Sequence, residues 1–268
     1  MAWWKSVLLF LLALLLFLAL RWQPDSWLRE QIMQASSAYG VSIDYQNIER
    51  VGLSLHLTKL QISGATLPVP LLFDSIKVAP AWPQLLQAKP ALDVALVWQG
   101  VKASAVVSED AQLVELADLH IATKIAPLLP LVKMQLPIKV AGEFQLTGHL
   151  RVDSVTGRPL TGELHGQLLK AAASLFGKPD VLGDYTVELV NKEQKTAWQW
   201  QLAGGSGVLL KGTGTLATQA NLPKQWRLNG QLHLSGGKVV PPSLKPMLTK
   251  PLSFTVAGPL ARLRLQPR

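Results

Sequence analysis

Alternation of apolar and polar side chains along the chain after Gly40 is the feature that most constrains its fold. Residues 140–152 read VAGEFQLTGHLRV, in which every second residue from Val140 onward is apolar or glycine, and most residues between them are polar. Successive side chains of a β-strand point to opposite faces, so this period of two predicts a strand with one apolar and one polar face. The stretch contains no catalytic arrangement, and the question it raises is what covers the apolar face.

The same period recurs over much of the chain, which predicts a mainly β protein. The alternation within residues 51–64 slips by one position at Thr58-Lys59, as a β-bulge would make it do. Turn sequences separate the alternating runs: TGRP at 156–159, GGSG at 204–207, GG at 236–237 and PP at 241–242. Related apolar-x-Gly-x-apolar units recur at irregular spacing, which argues against a solenoid of fixed period.

We therefore expect residues 41–268 to form one long, curled antiparallel sheet that grows hairpin by hairpin. Glycines on the apolar face, namely Gly142, Gly148 and Gly230, permit curling or the close approach of another layer. Two short stretches, residues 82–88 and 168–176, break the alternation, and each is compatible with a turn or two of helix.

An apolar run at the N-terminus predicts a membrane anchor. Residues 7–20 read VLLFLLALLLFLAL, and residues 1–22 would span about 33 Å as a helix. Interfacial side chains flank the run: Trp3, Trp4, Lys5, Arg21 and Trp22. A cleaved signal peptide is the alternative, but no small-x-small cleavage site follows the run. We expect an uncleaved single-pass anchor with a cytoplasmic N-terminus and the bulk of the chain on the other side of the membrane.

Residues 23–40 predict an amphipathic helix after the anchor. Asp25 or Ser26 can cap its start, apolar residues follow at mostly helical spacing, and Gly40 can end it. Its apolar stripe either caps the sheet or lies on the membrane surface. The shortage of Lys and Arg in this segment favours the cap.

The sequence shows no catalytic, cofactor-binding or metal-binding motif. The chain has no cysteine, which excludes disulfides and thiolate ligands. Five histidines occupy polar positions of alternating runs: His56, His120, His149, His165 and His233. A metal site or a general base is the functional interpretation, but no HxH or HExxH spacing supports it, so solvated histidines are favoured. We therefore predict no cofactor, no metal and no enzymatic activity.

The charge of the chain is uneven along its length. There are 26 Lys and Arg residues against 17 Asp and Glu, and no acidic residue follows Glu193. The ten basic residues after that point are Lys195, Lys211, Lys224, Arg227, Lys238, Lys245, Lys250, Arg262, Arg264 and Arg268. Such a segment either docks on anionic lipid or an acidic partner, or is a solvated face. Nucleic acid is the other anionic class, and the predicted anchor argues against it.

A candidate apolar groove follows from the alternation. Trp198 and Trp200 are two residues apart and share one strand face, where they either line a groove for lipid or peptide or pack as core. With the apolar set of residues 140–152, they give the candidate groove residues Phe144, Leu146, Leu150, Trp198 and Trp200.

Several segments resemble known families. Residues 39–64, YGVSIDYQNIERVGLSLHLTKLQISG, resemble the opening of AsmA-like proteins. Residues 114–152, VELADLHIATKIAPLLPLVKMQLPIKVAGEFQLTGHLRV, resemble type II secretion system protein N, in which a Leu-Pro and Val-x-Gly segment follows a proline-broken apolar linker. Residues 160–189 and 198–216 continue this resemblance.

The resemblance implies an inner-membrane protein of a Gram-negative bacterium with a periplasmic β domain. It would be a non-enzymatic component of type II secretion whose partners are other subunits of the secretion machine. The AsmA-like segment implies a groove-shaped sheet or open barrel with an apolar concave face, and hence the alternative function of lipid binding or transfer between membranes. An anchored hydrolase is a third interpretation, which no nucleophile–base motif supports.

Overall fold

The computed structural model describes Glu30 and residues 41–64, 70–110, 112–126, 139–174, 179–192, 197–218, 225–246 and 248–268. The predicted anchor, residues 1–22, lies outside the described residues, and so does the predicted amphipathic helix apart from Glu30, which is helical. No helix within the described ranges is long and apolar enough to cross a membrane.

In the part of the chain that the structure describes, fifteen strands form a single antiparallel sheet, which confirms the prediction of a mainly β fold. The strands are β1 Val41–Asp44, β2 Asn47–Val51, β3 Ser54–Gly64, β4 Leu71–Pro80, β5 Ala91–Trp98, β6 Val101–Asp110, β7 Leu113–Lys124, β8 Lys139–Asp153, β9 Pro159–Ser174, β10 Asp180–Asn191, β11 Ala197–Gly204, β12 Val208–Ala217, β13 Arg227–Gly236, β14 Leu252–Pro259 and β15 Arg264–Pro267. A short helix, α1, spans Trp82–Leu85, and a 3₁₀ turn spans Leu260–Arg262.

The sheet grows by pairing each strand with the next one along the chain. From β3 to β15 every neighbour in the sheet is a neighbour in sequence, while β1 and β2 both pair with β3. Gln99-Gly100 joins β5 to β6, and both residues have positive φ, as a two-residue hairpin turn of type I′ requires. Within the described residues the hydrogen-bonded order runs from β1 to β15 and does not close on itself.

Strand register places the apolar positions of successive strands opposite one another. One row across the sheet contains Ile121, Leu146, Gly166, Val187, Leu202, Gly212, Leu232 and Phe254. The adjacent row, shifted by one residue, contains His120, Thr147, His165, Glu188, Gln201, Thr213, Gln231 and Thr255. One side of the sheet is therefore apolar and the other polar over many strands.

Bulges keep this pattern in phase within long strands. Lys59, Asp118 and Lys170 have left-handed backbone conformations, with φ of 50°, 49° and 52°. The register of β7 shifts by one residue near Asp118, and that of β9 shifts by one residue near Lys170. An extra residue at these two bulges lets the next apolar residue return to the same side of the sheet. The one-residue bulge predicted at Thr58-Lys59 is wrong, because the pairs Thr58–Ser75 and Leu60–Phe73 keep one register, with Lys59 and Asp74 passed over together.

The sheet curls toward its apolar side. Leu150 on β8 packs with Trp198, Trp200 and Leu216, which lie on β11 and β12. Side chains can reach across the two intervening strands only if the sheet bends toward the face that carries them, because strands are about 4.8 Å apart. The apolar face is therefore the concave one in this part of the molecule.

One of the two short helices expected from the sequence is correct and the other is wrong. Residues 82–88 contain α1 with a proline at its start. The stretch 168–176 is not helical where it is described, because Leu168–Ser174 belong to β9. Their main-chain groups pair with β8 and β10, and the bulge at Lys170 produces the break in alternation that suggested a helix. Pairing on both sides of the strand overrides the helical preference of its three alanines.

Candidate apolar ligand site

A tryptophan cluster fills part of the concave face. Trp198 and Trp200 are only 2% and 8% exposed, and the Trp200 indole donates a hydrogen bond to the main-chain oxygen of Asn229 at 3.2 Å. The Trp200 ring lies over Gly212 and Gly214 on β12 and over Gly230 on β13, the next two strands of the sheet. A methyl group on any of these glycines would overlap the ring or the facing main chain, so the glycines let a large ring lie flat across the sheet.

Beside this cluster the concave face forms an open apolar cavity of about 460 Å³. Six consecutive strands, β8 to β13, each contribute a side chain to its lining: Phe144, Leu168, Val187, Leu202, Leu210 and Leu234. Five interstrand spacings of about 4.8 Å make the lined strip about 24 Å long around the curve of the sheet. Leu202 belongs both to the tryptophan cluster and to the cavity lining, so the cluster forms one end of the cavity.

A folded-back hairpin turn forms the opposite end. The turn between β11 and β12 bends over β10, where the amides of Gly205 and Gly207 donate to the main-chain oxygens of Asp184 (2.7 Å) and Leu182 (2.9 Å). The Tyr185 hydroxyl donates to the main-chain oxygen of Val208 at 2.8 Å. Burial raises the pKa of this hydroxyl, because the phenolate would be poorly solvated there. The turn predicted at residues 204–207 is confirmed.

A basic segment, residues 238–250, lies against the same end of the cavity. The amide of Gly237 donates a hydrogen bond to the main-chain oxygen of Gly207 at 3.0 Å. The Val240 side chain lies against Gly236, and Gly236 pairs with the cavity residue Val208. The segment carries three exposed lysines and no acidic residue: Lys238, Lys245 and Lys250. The hydroxyl of Ser243, within this segment, donates a hydrogen bond to the carboxylate of Asp180 on β10.

The five candidate groove residues divide between the two features. Phe144 lines the cavity. Leu150, Trp198 and Trp200 belong to the tryptophan cluster, and Leu146 lies half-buried in the row between, opposite Gly166. Their role in binding a ligand stays a prediction. The candidate membrane-anchor residues Trp3, Trp4, Lys5, Arg21 and Trp22 lie outside the described residues.

Sequence reasoning did not identify most of the cavity lining. Leu168, Val187, Leu210 and Leu234 lie on apolar positions of their own strands, and that much is readable from alternation. Whether they line one cavity with Phe144 depends on the register of the five strand pairs between β8 and β13, and the sequence of one strand does not specify that register. The glycines of β12 and β13 were the one sequence signal for this region, because a strand position without a side chain marks where a large ring of another strand can pack.

The polar face carries the five histidines. All five histidines lie in polar rows, as predicted. The His165 ring contacts Glu163 at 3.1 Å and Glu188 at 3.6 Å, all on the outer surface. Lys192 lies 3.4 Å from Glu163 and is the main reason that the pKa of this carboxyl is lowered. In the described part of the chain, no group of three or more His, Cys, Asp or Glu side chains is placed to hold a metal ion.

A second depression of interest lies on the polar face near the last strand. It has a volume of about 480 Å³ and is lined by side chains of β13, β14, the 3₁₀ turn and β15. Three arginines, Arg227, Arg262 and Arg264, contribute to it. We refer to it as the arginine pocket.

Comparison with protein-family models, with curated proteins and with solved structures finds no match to this chain.

Proposed function

We propose that this chain is a non-enzymatic component of type II secretion, anchored in the inner membrane of a Gram-negative bacterium with its β domain in the periplasm. The resemblance of residues 114–152 to the protein N family supports this function. So does the open sheet, which is the structural observation that carries the proposal. Among the strands that the structure describes, β15 pairs only with β14, so its other edge offers main-chain donors and acceptors to a partner strand.

Deletion of the gene tests this proposal. We expect exported enzymes to fall in the medium and to accumulate in the periplasm, and the full-length chain supplied on a plasmid to restore export. A periplasmic marker enzyme that is not exported serves as the control for leakage. Unchanged secretion in the deletion strain would contradict the proposal.

The apolar cavity favours a second candidate function, lipid binding or transfer in an AsmA-like groove. A cavity of about 460 Å³ lined by leucine, valine and phenylalanine side chains suits an acyl chain. Removing acyl methylenes from water is worth about 0.8 kcal/mol each, so a chain that enters by ten methylenes would gain about 8 kcal/mol before the entropic cost of ordering it. The exposed lysines of residues 238–250 can meet an anionic headgroup at the end of the cavity.

Photo-crosslinking from two adjacent positions tests lipid binding. Leu210 lines the cavity, whereas Leu209 is 41% exposed on the polar face of the same strand. With benzoylphenylalanine at residue 210 of the full-length chain, we expect lipid adducts by mass spectrometry after illumination of whole cells. Residue 209 is the matched control and should give few. Equal adducts at both positions, or none at 210, would argue against an acyl-chain site.

A further inference from the structure

The arginine pocket combines concave shape with unbalanced positive charge. Arg227 begins β13 opposite Pro259, Arg264 begins β15 opposite Ala257, and Arg262 ends the 3₁₀ turn between β14 and β15. All three side chains are exposed, and within the described residues none forms an ion pair with a carboxylate. Three arginines therefore line one depression of about 480 Å³ without a fixed counter-charge among the described residues.

The strand register explains why these side chains share one depression. Asn229, Ala257 and Arg264 form one row across three strands on the polar face. Ala257 is in the middle of this row, and its short side chain leaves space between the longer ones on each side. Arg227 and Pro259 form the next row, so Arg227 and Arg264 flank the same small side chains from two strands apart, about 10 Å. Arginine side chains are long enough to converge over that span.

The turn into β15 fixes the third arginine. Gly258 has φ of +129° and approaches the main-chain oxygen of Arg262 closely, so that a methyl group at residue 258 would lie 2.9 Å from it. The amide of Leu260 donates to the main-chain oxygen of Trp226 at 2.8 Å, which ties the 3₁₀ turn to the start of β13. The amide side chains of Asn229 and Gln266 also line the pocket and can donate further hydrogen bonds.

We propose that the arginine pocket binds a phosphate group. A phosphate monoester carries a charge of about −1.5 to −2 and three acceptor oxygens, which suits several guanidinium forks better than a single carboxylate does. No acidic residue follows Glu193, so the strands around the pocket bring no carboxylate of their own to compete for it. The phosphate belongs either to a soluble molecule or to a lipid headgroup, and the experiment separates the two. This site is distinct from the apolar cavity, because it lies on the opposite face of the sheet.

Titration of the purified full-length chain with inorganic phosphate tests the site. We expect saturable binding by calorimetry at constant ionic strength, and at least tenfold weaker binding for the double variant Arg262→Gln/Arg264→Gln, since charge-assisted hydrogen bonds are lost. Arg262→Lys/Arg264→Lys keeps the charge but loses the planar forks and should bind with intermediate affinity. Lys211→Gln is the matched control, because it removes one exposed cation of the polar face outside the pocket. Unchanged thermal melting without phosphate verifies that each variant folds.

Competition with short-chain lipids identifies the source of the phosphate. If short-chain phosphatidic acid below its micellar concentration displaces inorganic phosphate and phosphatidylcholine does not, the pocket takes the phosphomonoester headgroup of a lipid. If neither lipid competes while phosphate still saturates, the pocket takes a soluble phosphate compound. Absence of saturation, or a loss in Lys211→Gln equal to that in the arginine variants, would overturn the proposal, as would tighter binding of a polyglutamate peptide than of phosphate.

Discussion

Single residues on β11 determine which part of the concave face is filled. Trp198 and Trp200 point into the curl, and glycines on β9, β12 and β13 leave room for their rings. Leu202, two residues further, points the same way but has the cavity beside it. The smaller side chain of Leu202 thus leaves a cavity about 7 Å along the strand from the position where the Trp200 ring fills the concave face.

Truncation of Trp200 should be severely destabilising. We expect Trp200→Ala to lower the free energy of unfolding by about 3–5 kcal/mol, because it empties the centre of the cluster and removes the hydrogen bond to Asn229. Gln201→Ala, on the exposed face of the same strand, should change it by no more than about 0.5 kcal/mol. Urea unfolding followed by circular dichroism measures both. Similar losses in the two variants would mean that the cluster is not a core.

Tyr185 should make stability depend on alkaline pH. Its buried hydroxyl has a raised pKa in the folded chain, against an ordinary value of 10.0. The folded state therefore keeps the proton in a range where the unfolded state loses it, and this contribution is complete below pH 10.0 and lost as the pH rises through the folded pKa.

Tyr185→Phe should lower the free energy of unfolding by about 1 kcal/mol at neutral pH, since the bond to Val208 is lost. Above pH 10.0 the difference between the wild type and the variant should shrink. Urea unfolding of both proteins between pH 7 and the alkaline limit of reversibility, roughly pH 11, would show this. A constant difference over the whole range would contradict the burial of the hydroxyl.

Among the elements, the turn between β11 and β12 depends on close packing against neighbouring main chain as well as on its own backbone conformation. Gly205 has φ of +94°, and a side chain there would overlap the main chain of Val208. Gly52, in the turn between β2 and β3, has φ of +64° but open space around it. A side chain at residue 52 would therefore introduce conformational strain alone, whereas a side chain at residue 205 would add steric overlap.

We expect Gly52→Ala to cost about 1–2 kcal/mol, from the left-handed conformation alone. Gly205→Ala should cost about 1–3 kcal/mol more and should loosen the end of the apolar cavity. Thermal melting gives the overall stability, and amide hydrogen exchange in β11 and β12 shows where it is lost. Equal effects of the two substitutions would mean that the turn moves aside freely.

The stretch 168–176 shows what element prediction from sequence lacks. An interrupted alternation made this stretch compatible with a short helix, and the local residues give no reason to reject one. The two neighbouring strands decide otherwise, because residues 171–173 pair with β8 or β10 through main-chain hydrogen bonds. The partners on β8 are far from residues 171–173 in sequence, so a pattern within the stretch itself does not reveal them.

At the scale of the whole molecule, an open sheet of fifteen strands must protect its ends. β15 is only four residues long and contains Arg264 and Pro267, which are charge and proline features that discourage pairing between the edges of two copies of this chain. The main-chain groups between them are still open to a specific partner strand. β15 covers residues 254–257 of β14, which include Phe254 and Val256 on the apolar face. The short strand thus separates a more apolar edge from solvent.

Removal of residues 264–268 should therefore promote self-association. We expect the truncated chain to form concentration-dependent dimers and larger species, because the edge of β14 is then unpaired. The double variant Arg264→Gln/Arg268→Gln keeps the strand while removing two charges, and it should sediment as the wild type does. Sedimentation velocity over a range of protein concentrations distinguishes these cases. Association of the charge variant alone would assign the protection to charge and not to strand pairing.

Local sequence patterns account for the mainly β fold, for the two faces of the strands and for the turns between them, although residues 168–174 are an exception. A period of two and the glycine and proline turns are local properties, since they follow from how one strand projects its side chains and how one hairpin reverses. The apolar faces that contain Phe144, Trp198 and Trp200 are predicted for the same reason. Three features follow only from the three-dimensional structure: the tryptophans pack on glycines of other strands, Phe144 meets Leu210 and Leu234 around a cavity, and three arginines share one pocket. These outcomes depend on register summed over many strand pairs and on the curl of the sheet, which are collective properties that no single segment contains.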